Sequence, residues 1–457
     1  MHAPGPTALV RRLGPFDAAA IIVSNVIGGG ILFTPPQVAA SIPNPTLFLL
    51  IWIVGGALAF AGAMAYAELA AVRPRAGGEY VYLDAAFGRL AAFLTGWTSF
   101  VAGFSGAIAA SAVVFASYLG RFVAGASDGT PLVTVPIPWV PLTVSRQTLV
   151  ALSVIALMAS IHVRGVGPGR VVGNVLAALK VSAIAMFIAL GFSVGVGSAA
   201  NLESSAGTVH ATSWLLALVP VMFTYAGWNA ATYVAEEIRD PGRNIPLALG
   251  MGTLAVIAIY CLLNLLYLYV VPIGSLAAVR GSVLDVIADR VLGVRAGDVM
   301  GVVSIVSLAA SISAMTIAGP RVYYAMARDG VFFAPAAQVH ERYRTPAVSI
   351  VAQAIWSGVL VVSGGADALI RYTGFAVVLF SGVAVAALFV LRAREPHAPG
   401  SFSALGYPVA PAIFVVASLL IVLNAMYSDP RPSGVGVLII LAGVPLYAIF
   451  ARRRGAR

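Results

Sequence analysis

The chain has 457 residues, of which 60% are hydrophobic and 10% charged, and its formal net charge at pH 7 is +10. A soluble domain is about 45–50% apolar and about 25% charged, so this composition excludes a soluble fold and indicates many lipid-facing helices. The single cysteine, Cys261, can form no disulfide within the chain.

Apolar runs of about 20 residues, the length that crosses a bilayer, predict twelve membrane-spanning helices. The first run is too long for the apolar part of a cleavable signal peptide, so none is expected. The sequence therefore predicts an all-α polytopic membrane protein with one transmembrane domain. The approximate bounds of the spans are 16–40, 46–70, 89–120, 147–163, 171–195, 212–236, 246–272, 298–327, 346–364, 368–391, 407–427 and 434–451.

The arginines predict the orientation of these spans. With both termini in the cytoplasm, nineteen arginines lie on the inner side and seven on the outer side. Positive charge concentrates in the cytoplasmic loops of membrane proteins, so we expect this orientation in the cytoplasmic (inner) membrane. The basic charge then sets topology and does not indicate nucleic acid. Residues 282–293 predict a short external helix, either a cap over an outer vestibule or an amphipathic linker.

The first span contains the sequence NVIGGGILFTPP (25–36). Its glycines follow Phe16 by about 12 residues, or about 18 Å of helix, which is near mid-membrane. Three adjacent glycines do not line one helix face, so a broken helix is favoured over close helix packing. The N–H groups freed at the break can hold a carboxylate, and the freed carbonyls suit an ammonium group or a cation.

The sixth span contains a matching stretch, FTYAGWNAATYVAEE (223–237). Ala226 and Gly227 lie mid-span beside aromatic residues and Asn229, and ordinary aromatic packing would not need an asparagine there. Spans 1 and 6 run in opposite directions. Two broken helices at matching positions of two five-span halves are typical of an inverted-repeat transporter. The halves are 16–195 and 212–391, and the last two spans (407–451) follow them.

Lys180 is the only lysine in the chain and lies within the fifth span. An ionisable group near mid-depth indicates a function, whereas a lysine near a helix end can extend to the interface. Two roles stay open. A permanently charged ammonium can stand where a sodium ion would bind, or the lysine can exchange a proton during transport.

Two other classes of protein fit less well. For an enzyme or a metal site, no His/Asp/Glu cluster with metal-ligand spacing lies within the predicted spans, so neither metal nor cofactor is expected. A channel needs polar groups along a pore, whereas the polar interior residues gather at the two helix breaks.

Four segments resemble the amino acid–polyamine–organocation superfamily, and within it the L-type amino acid transporters. They are VIGGGILFTPP (26–36), AYAELAAVRPRAGGEYVYLDAAFG (65–88), FTYAGWNAATYVAEEIRDPGRNIPLAL (223–249) and GPRVYYAMARDGVFFAPAAQVHERYRTP (319–346). The resemblance departs at Gly29, which is often serine in the family, and at Ala226, which is more usually glycine. We therefore expect the backbone at Gly29 to hold a carboxylate without help from a hydroxyl.

The resemblance implies a LeuT-like fold: five plus five spans as an inverted repeat, two further helices, and spans 1 and 6 unwound at mid-membrane. It also implies a site for an α-amino acid between the two breaks. Gly28, Gly29 and Gly30 would then hold the carboxylate, and the carbonyls of Ile27 and Phe223 the ammonium. The expected site residues are Ile27, Gly28, Gly29, Gly30, Phe223, Ala226, Gly227, Trp228 and Asn229 for substrate, with Lys180, Ser311 and Ser313 for coupling.

Phe223, Trp228 and Asn229 are the residues that the resemblance places around the substrate side chain. Ala226 and Ala230 favour small neutral amino acids, although Trp228 can also cover a larger pocket. The expected function is sodium-independent amino acid exchange, and proton-coupled symport and amine or polyamine transport stay open. No cysteine lies between spans 3 and 4, so a disulfide-linked glycoprotein partner is not expected.

Overall fold

The computed structural model describes residues 9–137, 141–203, 208–293, 295–364, 366–395, 402–428 and 430–455. This part of the chain is helical, with one small antiparallel hairpin in which Val133 lies opposite Val144. The elements are α1 Pro15–Val26, α2 Gly29–Ser41, α3 Pro45–Val72, α4 Glu79–Phe87, α5 Arg89–Thr98, α6 Phe104–Leu119, β1 Val133–Val135, β2 Leu142–Val144, α7 Arg146–Val163, α8 Val166–Ser193, α9 Ala200–Glu203, α10 Ala211–Tyr225, α11 Ala230–Tyr233, α12 Pro241–Val270, α13 Ile273–Ala277, α14 Val283–Leu292, α15 Ala296–Arg328, α16 Ala347–Val362, α17 Ala366–Arg394, α18 Val409–Ser428, α19 Pro430–Leu441 and α20 Gly443–Gly455. A π-helical turn, Ser99–Gly103, joins α5 to α6.

The all-helical, polytopic class predicted from the sequence is confirmed. Among the described residues, nine helical segments are long and apolar enough to cross a membrane, or ten if the bent pair α1–α2 is one span. Two further apolar helices, α10 and α16, are shorter, with 15 and 16 residues. The protein is therefore a multi-pass membrane protein, and the count of twelve spans stays a prediction.

Local sequence signals set several helix starts. The side chain of Asn44 accepts a hydrogen bond from the Leu47 N–H at 3.0 Å, which satisfies one of the free N–H groups at the start of α3. Ser145 does the same for the Thr148 N–H at 3.2 Å and begins α7. Gly88, with a φ of +86°, separates α4 from α5.

Helix α15 lies at the centre of the bundle. Of its most apolar stretch, 83% is buried, whereas the corresponding figure for Pro430–Arg452 is 17%. It packs against α1, α6, α7, α8 and α16, and α12 packs against α1 and α3. Gly55 allows α3 to pack closely against α10, since a Cβ there would lie 2.5 Å from Val221 of α10.

Candidate functional site

The first helix break lies at the glycine triplet. Helix α1 ends at Val26 and α2 begins at Gly29, with their axes bent by 47°. Ile27 (φ −75°, ψ 89°) and Gly28 (φ −133°, ψ −146°) leave the helical conformation. The break frees carbonyl groups at the end of α1 and N–H groups at the start of α2, where the helix dipole is positive.

The side chain of Lys180 on α8 reaches those carbonyls. It is fully buried, and its ammonium group donates to the carbonyl of Ile27 and, at 3.1 Å, to that of Ser24. Ser311 on α15 donates to the same Ser24 oxygen at 2.8 Å. None of the ion pairs found in the described part of the chain includes Lys180, so backbone dipoles hold its ammonium group. Three helices thus meet at the first break.

The second break follows α10. The helix ends at Tyr225, the N–H of Ala226 bonds back to the Phe223 carbonyl at 3.0 Å, and Gly227 has a φ of +104°. This left-handed conformation favours glycine. Asn25 of α1 donates to the Gly227 carbonyl at 3.4 Å, and a Cβ on Gly227 would lie 2.6 Å from the Asn25 side-chain nitrogen. The two breaks are therefore in direct contact.

Tyr260 on α12 joins the two breaks, and the sequence analysis did not identify it. Its hydroxyl lies 2.9 Å from the carbonyl oxygen of Val26 and 3.2 Å from that of Thr224. These oxygens belong to the last turns of α1 and α10. A single hydroxyl hydrogen is shared between them, which couples the ends of both interrupted helices to a third helix.

The three glycines have different surroundings. A Cβ on Gly28 would lie 3.1 Å from the Ser311 hydroxyl, and one on Gly30 would lie 3.2 Å from the Thr224 backbone. At Gly29 a Cβ would meet only Phe33 of its own helix, at 4.0 Å. A Cβ on Gly28 or Gly30 would thus press on a neighbouring helix, whereas one on Gly29 would make only an ordinary van der Waals contact.

The residues expected around a substrate side chain separate in the structure. The Phe223 side chain is 43% exposed. Trp228 is buried, and its ring lies 4.8 Å from that of Tyr66 and 5.7 Å from that of Phe414. The Asn229 amide nitrogen donates hydrogen bonds to the side chains of Glu79 and Tyr233. Trp228 and Asn229 thus hold the segment after the second break against α3, α4 and α18.

Ser313, expected beside Lys180, contacts a different partner. Its hydroxyl lies 2.8 Å from Nε2 of His162, a buried histidine in the last turn of α7. A cavity of about 20 Å³, which is room for about one water molecule, lies beside both residues and Ser24. Ser311 and Ser313 are two positions apart, and helix residues at that spacing do not face the same way.

Glu79 forms a buried polar cluster that sequence analysis also missed. Its Oε1 atom accepts from the Tyr66 hydroxyl at 2.7 Å, from Asn229 Nδ2 at 2.8 Å and from the Ser381 hydroxyl at 3.3 Å. The Asn229 amide also donates to the Tyr233 hydroxyl at 3.0 Å. In the sequence Glu79 lies in a polar link between two predicted spans. Its neighbouring glycines and tyrosines are the only signal there that the segment is packed against the helices.

A second buried polar contact lies in the segment that follows α11. Arg321 of α15 donates to both oxygens of Glu237, at 2.7 and 3.0 Å, and both side chains are at most 1% exposed. The backbone N–H groups of Arg12 and Leu13 donate to the Glu237 carbonyl at 2.9 and 3.0 Å. The chain before α1 is therefore bonded to the chain after α11.

The helix expected at 282–293 is α14. Asp285 forms an ion pair with Arg121, which also donates to the Gly297 carbonyl at 3.2 Å. Burial raises the pKa of the Asp285 carboxyl, and the Arg121 guanidinium opposes that shift. A cavity of about 510 Å³ lies beside these groups. Helix α14 packs against α2, α12 and α15, so it is an integral part of the bundle.

The described residues contain no group of three or more His, Cys, Asp or Glu side chains that could hold a metal ion. The polar groups at the two breaks are instead backbone carbonyls, backbone N–H groups, hydroxyls and one ammonium group. This arrangement can bind a small molecule that carries both charges.

The sequence model for "Amino acid permease" matches residues 13–450. The large neutral amino acids transporter small subunit 2 of Mus musculus is 29% identical over 450 residues, which cover 97% of this chain and 81% of that protein. The b(0,+)-type amino acid transporter 1 of Mus musculus is 29% identical over 454 residues, 97% of this chain and 88% of that protein. The Asc-type amino acid transporter 1 of Rattus norvegicus is 28% identical over 450 residues, which cover 96% of this chain and 81% of that protein.

The membrane-spanning bundle and the family match together define the class: this is a membrane transporter and not an enzyme. The chain belongs to the amino acid permease family. That assignment confirms the resemblance found in the four sequence segments.

Proposed function

We propose that the protein carries neutral L-amino acids across the cytoplasmic membrane by alternating access, as a sodium-independent exchanger. The observation that carries this proposal is the contact between the two broken helices, with the Lys180 ammonium group bonded to the carbonyls of Ser24 and Ile27. A zwitterionic amino acid needs a site for an anion next to a site for a cation. Two helix breaks side by side provide both from backbone groups.

The carboxylate is assigned to the N–H groups of Gly28, Gly29 and Gly30 at the start of α2. The positive end of the helix dipole and the free N–H groups favour an anion there. The α-ammonium is assigned to the carbonyls of Ile27 and Phe223. The Phe223 carbonyl accepts one hydrogen bond, from the Ala226 N–H, and has a second lone pair. The Ile27 carbonyl accepts from Lys180 and, at 3.4 Å, from the Ser311 hydroxyl, so the substrate ammonium would replace the Ser311 bond there.

The substrate side chain is assigned to the space beside Ala226 and the exposed ring of Phe223. Small residues at Ala226 and Ala230, and the absence of a carboxylate from the proposed pocket residues, favour small neutral substrates. Gly227 sets the left-handed turn, whereas Trp228 and Asn229 act from behind the pocket by fixing the segment after the break. Phe223 is the proposed gate.

Lys180 supports the sodium-independent mode of the proposal. Its ammonium group bonds to the carbonyls that a cation would otherwise coordinate, together with the Ser311 hydroxyl. Ser313 lies on a different face of α15 from Ser311, and we propose that it couples α15 to α7 through His162.

The proposed topology has twelve spans, with α10–α11 and α16 completing the set. Spans within 16–195 and 212–391 form the two inverted repeats, spans 11 and 12 lie within 407–451, and both termini are cytoplasmic. The breaks lie at mid-membrane. No disulfide-linked heavy subunit is expected, and the bilayer and the amino acid are the partners of the proposal.

The test is counterflow in sodium-free proteoliposomes. Labelled L-alanine outside should enter faster, by about tenfold or more, when unlabelled L-alanine is inside, and uptake should saturate. Competition with all twenty amino acids and with putrescine defines the substrate class. Uptake that does not saturate would indicate a channel, and inhibition by putrescine but by no amino acid would indicate an amine carrier. Either result contradicts the proposal.

A further inference from the structure

Glu79 is a buried carboxyl group beside the second break. It begins α4 and is 6% exposed. Its Oε1 atom accepts from groups on two other helices, Tyr66 of α3 and Ser381 of α17, and from Asn229, the residue before α11. All these donors are neutral. A carboxylate in such a place is desolvated without a counter-charge, which favours its protonated form.

The basic groups on the surrounding elements are engaged elsewhere. Arg321 of α15 bonds to Glu237, Arg392 of α17 to Glu68, and Arg394 of α17 to the Ala86 carbonyl. No ion pair that the structure describes includes Glu79.

The other titratable groups that face Glu79 are phenols, on α3, α4 and α11, namely Tyr66, Tyr82 and Tyr233. Asp84, further along α4, is half-buried and lies near Asp329 and Arg89. Burial raises the pKa of the Glu79 carboxyl, and the hydrogen bonds from Tyr66, Ser381, Asn229 and Tyr233 oppose that rise. The surroundings of Glu79 thus provide hydrogen bonds but no cation.

The geometry directs three donors to one oxygen of Glu79. The three donors from α3, α17 and the second break all bond to Oε1. A proton on Oε2 therefore disturbs none of those bonds, because a protonated carboxyl keeps its carbonyl oxygen as an acceptor. Ionisation adds charge to the same cluster without changing its partners, so the site can hold either form in the same arrangement.

The cluster is attached to the part of the protein that must move. Asn229 directly follows Gly227 and Trp228 at the second break, and its amide joins Glu79 to Tyr233 of α11. Alternating access requires this segment to shift relative to α3 and α17. Such a shift would separate Asn229 from Glu79 and change how strongly Glu79 binds a proton.

We propose that Glu79 is a proton-binding site of the transport cycle and that its proton crosses with the amino acid. Oε2 takes a proton from water on one side of the membrane, forming an O–H bond. It returns the proton to water on the other side after the segment at the second break has shifted. The inference rests on the proposed transport function and adds net uptake to exchange. In exchange each substrate crosses with its proton in either direction, and in net uptake the empty carrier returns without a proton.

The test measures proton movement with an internal pH dye during net L-alanine uptake into proteoliposomes that contain no amino acid. We expect wild-type protein to acidify the interior as alanine enters. Glu79→Gln should lose at least about nine-tenths of that acidification while keeping alanine counterflow. The matched control is Glu395→Gln, which removes a half-exposed carboxylate and should match the wild type. Glu79→Asp, which keeps a titratable group, should restore part of the acidification.

The outcomes separate this inference from the proposed function. Absence of counterflow in the wild type contradicts the transport function itself. Counterflow without acidification in the wild type, or acidification that persists in Glu79→Gln, overturns the proton site alone. If Glu79→Gln does not fold, infrared difference spectra of the wild type and Glu79→Asp decide. A protonated-carboxyl C=O band that shifts on this substitution supports the site, and an unshifted or absent band overturns it.

Discussion

The ammonium group of Lys180 lies 3.1 Å from the carbonyl oxygen of Ser24, although 156 positions separate the two residues in the chain. The contact places the only lysine of the protein at the point where α1 stops. Together with the Ser311 hydroxyl, the ammonium group satisfies buried carbonyls at the end of α1. An unmade hydrogen bond of that kind costs about 1–3 kcal/mol.

We predict that Lys180→Ala lowers alanine counterflow by at least tenfold, because the charge and the bonds to Ser24 and Ile27 disappear together. Ser311→Ala should have a smaller effect, about two- to fivefold, since it removes one hydroxyl and no charge. Counterflow in proteoliposomes with matched protein content checks both. The control is Ser153→Ala, whose exposed hydroxyl bonds only to its own helix. Wild-type rates in Lys180→Ala would disprove its role.

The glycine triplet provides a prediction that separates binding from folding. Gly29→Val should leave the melting temperature nearly unchanged, because a Cβ there makes only an ordinary contact with Phe33, but it should weaken alanine binding by tenfold or more. Gly30→Val should instead lower the melting temperature, because its Cβ would press on the Thr224 backbone. Thermal-shift titration with alanine in detergent measures both quantities.

Gly250→Ala is the matched glycine control, since its Cβ would lie at an ordinary 3.7 Å from Met64. It should leave both the melting temperature and the alanine affinity unchanged. Unaltered alanine affinity in Gly29→Val would remove the carboxylate assignment.

Tyr260→Phe should slow transport by separating the two breaks. The hydroxyl hydrogen bond is worth about 0.5–1.5 kcal/mol, so we expect a fall of about three- to tenfold in the maximal rate, with a smaller change in KM. Tyr267→Phe is the control. It lies on the same helix, it is equally buried, and its hydroxyl has no partner in the described structure. Equal rates for the two variants would show that the Tyr260 bond does not couple the breaks.

The buried pair between Arg321 and Glu237 predicts an effect on stability. Arg321→Met leaves a carboxylate buried without its partner and should destabilise the protein by about 3–5 kcal/mol. Arg75→Met, which disturbs the half-exposed pair with Asp329, should cost less than about 1 kcal/mol. Chemical denaturation in detergent micelles measures the difference. If the two variants unfold at the same denaturant concentration, the Arg321–Glu237 pair does not stabilise the segment after α11.

The sequence predicts the breaks better than it predicts their surroundings. Three adjacent glycines in the first span and Gly227 in the sixth are poor helix formers, so the positions of the interruptions follow from local propensity. Lys180 stands out because it is the only lysine. Tyr260 and Glu79 did not stand out, because their partners, Val26 and Asn229, are 234 and 150 positions away.

The contacts of particular side chains also needed the three-dimensional structure. An aromatic residue in a span, such as Trp228, looks the same in sequence whether it faces a ligand or packs on Tyr66. The two serines on α15 could be placed near Lys180 as a pair. Only the helix rotation shows that Ser311 turns towards Ser24 and Ser313 towards His162.

The most direct test of the account is hydrogen–deuterium exchange of the segment 25–33, with and without L-alanine, in sodium-free buffer. We expect slower exchange of the N–H groups of Gly28, Gly29 and Gly30 when alanine is bound, because the alanine carboxylate accepts hydrogen bonds from them. Gly29→Val should lose this protection. Saturating alanine that protects other segments but leaves 25–33 unchanged would contradict the account, because the substrate would then bind elsewhere.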